Sequence, residues 1–344
     1  MIETRRLLTE ALPTVLIGAL GAALFWLVGF PAAVLTGPAA VVSIATLMGF
    51  RSYVPKHLRE TVFVIIGISI GSTVSPEVIE TALAWPVSLA ALSVTLVLIV
   101  LIVRSVLVRG FGFDRMTAML AATPGHLSYV MGLSSELGAD VSRVALAQSV
   151  RVLLLTLTVP VLIALWGAEG TGRLPDEVRI SVLAAAIVFA LSLACGALFA
   201  RFGIPAPLLL GSMAVSAVGH GSGLTPGTLP PWLTIFAFIV MGSLIGTRFR
   251  GMGLAGLFDA IAAGVVATLV ACLVAALGAV LAARVVDIPP AALLLAFAPG
   301  GVEVMAALAV ETGLEPAFVA AHHVFRLILL SILIPVFLAR ERRV

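Results

Sequence analysis

The chain has 344 residues, of which 61% are hydrophobic and 11% are charged, and its formal net charge is +3. A soluble domain of ordinary composition carries about 25% charged residues, so this sequence lacks the side chains needed to cover a surface in water. The composition excludes a soluble globular protein and indicates a chain that crosses a lipid bilayer several times.

Apolar stretches that can cross about 30 Å of hydrocarbon recur along the chain. The first lies within residues 1–30. Because it is as long as a full span and lacks a clear cleavage site, we interpret it as the first helix and not as a signal peptide. Further examples are residues 87–103 and 264–283. We count about ten spans, which predicts an all-α polytopic bundle.

Two polar, helix-breaking segments interrupt this pattern: "AATPGHLSY" at 121–129 and "AFAPGGVEV" at 296–304. They belong to an internal duplication, since residues 121–162 align without a gap on 296–337 with 13 of 42 positions identical. The identities that apolar bias cannot explain include Pro124/Pro299, Gly125/Gly300, Glu136/Glu311 and Arg151/Arg326.

The duplication divides the chain into a first membrane repeat (1–166), a polar linker (167–179) and a second membrane repeat (180–344). Upstream of the breaks, residues 29–38 resemble 203–212, and 67–72 resemble 242–247. The last pair carries the GxxxG spacings Gly67/Gly71 and Gly242/Gly246, which favour close helix packing.

Basic residues predict that the second repeat is inverted. The loop 50–60 carries Arg51, Lys56 and Arg59, whereas its equivalent, 219–231, has no Lys or Arg. Conversely, the acidic loop 73–81 is replaced by 248–253 with two arginines. Because cytoplasmic loops are enriched in Lys and Arg, this pattern predicts two inverted repeats of about five spans each. Each repeat includes a Pro-Gly-broken or re-entrant element, and both termini lie in the cytoplasm.

We expect a solute site at the breaks. Irregular backbone at membrane depth is tolerated only where it is buried in protein or lines a wet cavity, and broken helices in inverted repeats form the midplane sites of secondary transporters. Half-helix N-termini also attract anions. The candidate binding residues are Thr123, Pro124, Gly125, His126 and Ser128 in the first break and Pro299, Gly300, Gly301 and Glu303 in the second. The alternative is that both breaks are kinks that serve only packing.

Arg151 and Arg326 lie deep in the helices that follow the breaks, where a charge marks a functional site or a buried pair. Helical spacing places Gln148 on the face of Arg151, and His322 and His323 precede Arg326 by four and three residues. Two interpretations stay open. The arginines bind a carboxylate or sulfonate of the substrate, or each pairs with the glutamate of its own repeat, Glu136 or Glu311.

Glu303 is the one acid beside a break, and it either binds a coupling proton or cation or caps a half-helix. His322 and His323 are adjacent on a helix and do not share a face, so we expect no metal site and no cofactor. Cys195 and Cys272 both fall in apolar segments, which favours small core residues over a disulfide framework.

The two copies of the signature, residues 121–161 and 296–336, closely resemble the duplicated membrane domain of the bacterial AbrB family over essentially the whole chain. Members of this family are labelled ammonia monooxygenases or membrane-bound regulators. The name is shared with an unrelated small DNA-binding regulator, which this sequence does not resemble. A position that usually reads Gly-Gly after the proline reads Gly125-His126 here. The layout is also similar to that of cation/proton antiporters and anion transporters.

Neither label fits the residues, because we find no cluster of copper or iron ligands and no DNA-binding module. The sequence predicts an inner-membrane secondary transporter, not an enzyme, which moves a small solute by alternating access. The arginines favour a small organic anion. The expected partners are the lipid bilayer, the solute and a coupling ion (H+ or Na+), with no nucleic acid and with a homodimer as an option. The alternatives are a membrane-embedded ligand sensor that regulates gene expression, and a membrane monooxygenase as the family label implies.

Overall fold

A computed structural model describes residues 6–74, 85–125, 127–165, 179–204, 206–225, 227–251 and 257–341. The side chains of residues 127–129, 257–260 and 339–341 are not described. His126, the side chain of Ser128, most of the linker and most of the acidic loop therefore lie outside the described residues.

The regular secondary structure of the described residues is helical, apart from one isolated bridge between Arg179 and Thr228. Its helices form two series of seven in the same order. The first series is α1 (Leu12–Leu27, after a π-turn at Leu7–Ala11), α2 (Ala33–Leu47), α3 (Lys56–Gly71), α4 (Trp85–Phe111), α5 (Arg115–Ala122), α6 (Leu127–Glu136) and α7 (Val141–Leu165). The second series is α8 (Val182–Arg201), α9 (Pro207–Gly221), α10 (Pro231–Gly246, then a 3-10 turn at Thr247–Phe249), α11 (Leu257–Ala282), α12 (Pro290–Phe297), α13 (Val302–Thr312) and α14 (Pro316–Glu341).

Seven helices in the described residues are long and apolar enough to cross a membrane, which makes this a multi-pass membrane protein. These candidate spans lie on α1, α4, α7, α8, α10, α11 and α14. Our count of about ten spans is larger. Helices α2, α3 and α9 have only 15, 16 and 15 residues, about 22–24 Å of helix each. Two of them start directly after a left-handed residue, Ala32 (φ 51°) or Ala206 (φ 47°), which shortens the helix within an apolar stretch.

The chain folds into two compact units that differ from the two sequence repeats. Unit 1 comprises Met1–Leu83, Thr156–Arg250 and Ala306–Phe318, and unit 2 comprises Ala84–Leu155, Gly251–Met305 and Val319–Val344. Each unit therefore takes helices from both repeats. The division at residues 166 and 180 remains a prediction about the sequence.

Glycines hold the helices of unit 1 together, as the GxxxG spacings predict. A Cβ on Gly37 of α2 would strike the backbone of Gly21 on α1, and the repeat-related Gly211 of α9 stands in the same relation to Gly196 of α8. Backbone therefore packs directly on backbone in both copies, which side chains larger than hydrogen would prevent.

The order of these contacts shows that the repeats are inverted. Gly67 and Gly71 of α3 meet Leu209 and Met213 of α9 in that order, so α3 and α9 run in the same direction. Likewise, Gly242 and Gly246 of α10 meet residues 35–39 and 42–43 of α2. Helix α10 therefore runs in the same direction as α2. Because α10 follows α9 and reverses its direction, α9 runs opposite to α2. Helix α2 is the equivalent of α9 in the first repeat. The predicted inversion is confirmed.

Unit 2 contains both breaks. Its apolar core joins α4, α5 and α14 through Leu96, Met119 and Leu330. Helix α11 packs on α4 where Gly278 meets Thr95, and on α7 where Gly264 meets Val150.

We predict that Gly37→Ala and Gly211→Ala each destabilise the protein by about 1–3 kcal/mol, because the added methyl overpacks a backbone contact. Gly110→Ala is the matched control, since no atom lies within 4 Å of its added Cβ, and alanine there leaves stability unchanged or raises it by up to about 1 kcal/mol. Thermal unfolding of the detergent-purified variants measures the difference. Equal melting temperatures for all three would contradict the packing.

Candidate functional site

The first break begins where α5 ends at Ala122. Helix α5 starts at Asp114, whose carboxylate accepts the backbone N–H of Thr117 at 2.9 Å. Partial burial acts to raise the pKa of Asp114, but the hydrogen bonds from Thr117 outweigh it and lower the pKa. Thr123 is extended (ψ 118°), as expected for a residue before proline, and the Thr123 hydroxyl donates to the carbonyl of Met119 at 2.8 Å.

The second break has the same construction. Helix α12 ends at Phe297, Ala298 before Pro299 is extended (ψ 135°), and α13 begins at Val302. Gly300 has no room for a side chain, because a Cβ there would lie about 2.7 Å from the side chain of Met305. The predicted Pro-Gly interruptions are therefore present in both repeats.

Two side chains of α7 bind the carbonyl end of α5. Gln148 donates its amide to the carbonyl oxygens of Leu120 at 3.1 Å and Thr123 at 2.9 Å. Arg151 donates Nη1 to the same Thr123 carbonyl at 3.5 Å and Nη2 to the side-chain oxygen of Gln148. Gln148 and Arg151 are 2% and 7% exposed, so these donors replace water at the end of a buried half-helix.

The equivalent pair on α14 binds the carbonyl end of α12. The ring Nε2 of His323 lies 3.0 Å from the Leu295 carbonyl, and because a carbonyl only accepts, Nε2 carries the proton. Arg326 donates Nη1 to the Ala298 carbonyl at 2.7 Å and Nη2 to the Gly300 carbonyl. Both residues are at most 1% exposed.

Both arginines thus place a positive charge at the C-terminal end of a half-helix. The carbonyl groups there are unpaired and form the negative end of the helix dipole, so a guanidinium supplies hydrogen bonds and charge together. The sequence showed that the arginines are buried but not that backbone carbonyls are their partners. In both repeats each donor has one carbonyl partner that stands 28 residues earlier, as in Gln148–Leu120 and His323–Leu295.

Arg326 and His323 each have one nitrogen that makes no hydrogen bond within the described residues. Among the described residues, Nε of Arg326 and Nδ1 of His323 are buried without a hydrogen-bond partner. Arg151 and Glu303 both act electrostatically on Arg326. The site therefore combines two guanidinium groups, one carboxylate, a free N–H donor on Arg326 and a free acceptor on the His323 ring.

The other predicted residues have separate surroundings. His322 bonds to the hydroxyl of Ser88 at 2.8 Å and stacks on Phe297, and sequence reasoning missed Ser88 because it lies on α4, far away in the chain. A Cβ on Gly301 would lie 3.2 Å from the carboxylate of Glu303, so that carboxylate folds back over the start of α13. In the described part of the chain, His, Cys, Asp and Glu form no group of three that could hold a metal.

The interpretation in which each arginine pairs with the glutamate of its own repeat does not hold for the second repeat. Glu311 accepts the backbone N–H of Val34 at 3.2 Å within unit 1, while Arg326 donates to carbonyl groups within unit 2. In the first repeat Glu136 is exposed. Backbone carbonyls accept from both Nη groups of Arg326, so the partners that hold this side chain at the break are carbonyl groups and not Glu311.

The family described as "Transition state regulatory protein AbrB" matches residues 34–340. The chain therefore belongs to the AbrB family. The chain is 29% identical to "Uncharacterized protein YhjN" of Bacillus subtilis (strain 168), over 79% of this chain and 76% of that protein. It is 26% identical to "Putative regulator AbrB" of Escherichia coli (strain K12), over 88% of each chain.

We predict that Gln148→Leu lowers the free energy of unfolding by about 1–3 kcal/mol, because it leaves two buried carbonyl groups with fewer donors. Gln148→His, which introduces the residue of the second repeat, should recover much of this loss. Ser331→Ala is the control, since the Ser331 hydroxyl bonds only to the Leu327 carbonyl of its own helix. The measurement is thermal unfolding followed by tryptophan fluorescence. A Gln148→Leu protein as stable as Ser331→Ala would show that the carbonyl contacts contribute nothing.

Proposed function

We propose that this AbrB-family protein is a secondary transporter of the bacterial inner membrane that carries a small organic anion by alternating access, coupled to an ion gradient. The observation that carries the proposal is Arg326. Its two Nη groups are bound to the break, whereas its buried Nε–H has no partner among the described residues. This donor is held in place for a further acceptor, and on this proposal the protein is a carrier and not an enzyme.

Charge supports an anion as that acceptor. A guanidinium is always ionised, and Arg326 stands close enough to Arg151 for the two charges to act on each other. The half-helix C-termini compensate part of the positive charge, and Glu303 compensates another part. An anionic ligand near the start of α13 would compensate the remainder and meet the backbone N–H groups there.

The ring of His323 narrows the ligand class. Its Nδ1 accepts a hydrogen bond when Nε2 donates to Leu295, and it lies three residues from Arg326, on the same face of α14. A ligand that satisfies both residues has an acid group as acceptor and a hydroxyl or amine as donor. We therefore favour small hydroxy-carboxylates or hydroxy-sulfonates.

The inverted repeat supports transport, because a pair of inverted copies with broken helices is the framework of alternating-access carriers. A ligand sensor that regulates gene expression is the second candidate, and the name of the Escherichia coli relative favours it. A carrier and a sensor would both bind the ligand, but only a carrier would move it across a bilayer.

We predict that liposomes with the purified protein accumulate labelled isethionate or lactate above the level of protein-free liposomes. A melting-temperature screen first selects the anion, with ethanesulfonate and propionate as partners that lack the hydroxyl. Binding raises the melting temperature by mass action.

Arg326→Lys, which keeps the charge but replaces Nε–H and both Nη groups by one ammonium nitrogen, should lower uptake about tenfold or more, since a charge-assisted hydrogen bond contributes about 1.5–3 kcal/mol. Arg143→Lys is the control, because Arg143 is an exposed partner of Asp140 at the start of α7. Stabilisation by an anion without any uptake would favour the sensor. No response to any anion would contradict both.

A further inference from the structure

Glu311 has an unusual environment near the end of α13. Its Oε1 accepts the backbone N–H of Val34 at 3.2 Å. Its Oε2 is buried and has no hydrogen-bond partner among the described residues. Val34 is the second residue of α2, which starts after the left-handed Ala32. One oxygen of the carboxyl group therefore caps a helix, and the other accepts no hydrogen bond from the described residues.

Within the described residues, no ion pair compensates Glu311. The elements packed against α2 are α1, α10 and the 3-10 turn after α10. Helices α1, α2 and α10 carry no titratable or charged side chain.

In the part of the chain that the structure describes, three charged groups lie on the 3-10 turn, on α13 or just after it, and each is remote from Glu311 or exposed. Arg248 in the 3-10 turn follows Gly246, which packs on residues 42–43 of α2, about 12 Å along that helix from Val34. Glu303 stands eight residues earlier on α13, also about 12 Å away, and Glu315 is exposed. A buried carboxylate with one donor and no cation is strongly disfavoured relative to the neutral acid.

The first repeat lacks this arrangement. Its equivalent of Glu311 is Glu136, which is exposed. In the second repeat, the position that corresponds to Val34 is Leu208 at the start of α9. The buried acid is therefore not a requirement of the repeated framework, because the same framework stands without it in the other copy.

We propose that Glu311 is a proton-binding site and that its proton is the coupling ion of transport. The coupling role rests on the proposed function. Proton binding converts the carboxylate to a neutral carboxyl group, with Oε2 as the atom that gains the O–H. Entry of an anion is opposed by an inside-negative membrane potential, and a proton carried with it cancels one negative charge.

Helix α13 connects the two sites. Its first residues, as far as Met305, belong to unit 2 with the second break, and the rest, with Glu311, belong to unit 1. Glu303, beside the second break, and Glu311 thus lie near opposite ends of one helix.

The first experiment detects the proton without any solute. Infrared spectra of the protein in lipid bilayers, recorded from acid to alkaline pH, should show the C=O band of a protonated carboxylic acid that persists at neutral pH. Glu311→Gln, which is neutral and keeps an acceptor for Val34, should lack this band. Glu136→Gln, the exposed counterpart, should retain it. A band that is the same in all three proteins overturns the proton site, whether or not the protein transports anything.

The second experiment measures coupling with a pH-sensitive dye inside liposomes, with isethionate as the probe. The wild-type protein should acidify the lumen as isethionate enters, and Glu311→Gln should admit isethionate with at least a tenfold smaller proton signal. A Glu311→Gln protein that still moves protons with isethionate overturns the coupling role alone. A wild-type protein that admits no isethionate or lactate overturns the coupling role and the proposed function together, and the infrared band then still decides proton binding.

Discussion

Two helices, α5 and α12, end in the buried interior of the protein, and the carbonyl groups at these ends must find donors. A buried carbonyl without a donor costs several kcal/mol. In each repeat, two side chains on the following long helix donate hydrogen bonds to these carbonyl groups. The pairs are Gln148 with Arg151 and His323 with Arg326. The position of α7 beside α5, and of α14 beside α12, follows from this requirement, as does the burial of two guanidinium groups.

The repeat supplies the framework, and the differences between the copies supply the chemistry. Gln148 offers an amide where His323 offers a ring with a free acceptor, and Ser128 stands where Glu303 carries a charge. Glu136 is exposed, whereas Oε2 of Glu311 is buried. If these residues served folding alone, we would expect the same residue types at equivalent positions of both repeats. The asymmetry is concentrated at the second break and on α13, which is where we place the anion and the proton.

Much of the fold could be predicted from the sequence. The Pro-Gly pairs, the GxxxG spacings and the distribution of Arg and Lys are local signals, and they predicted the breaks, the close packing and the inversion. The interleaving of the repeats into two units could not be predicted, because hydropathy records that a segment is apolar but not which apolar face it meets. The short helices were also missed, since the left-handed residues that start α2 and α9 are alanines, Ala32 and Ala206, and not the glycines that usually mark such positions. The sequence places Arg326 deep within an apolar helix. It does not identify the carbonyl partners of Arg326, because they depend on tertiary packing.

The account depends most on the free Nε–H of Arg326, which solid-state NMR can observe directly. The protein would be labelled with ¹⁵N-arginine, reconstituted in lipid bilayers, and its Nε–H signals recorded with and without isethionate or lactate. Arg326→Lys assigns the signal by its loss. We predict a buried Nε–H signal that exchanges slowly with water and shifts when the anion is added, while the exposed Arg143 does not respond. A signal from Arg326 that is unchanged by either anion, or that shows an Nε–H already bonded to protein, would contradict the account.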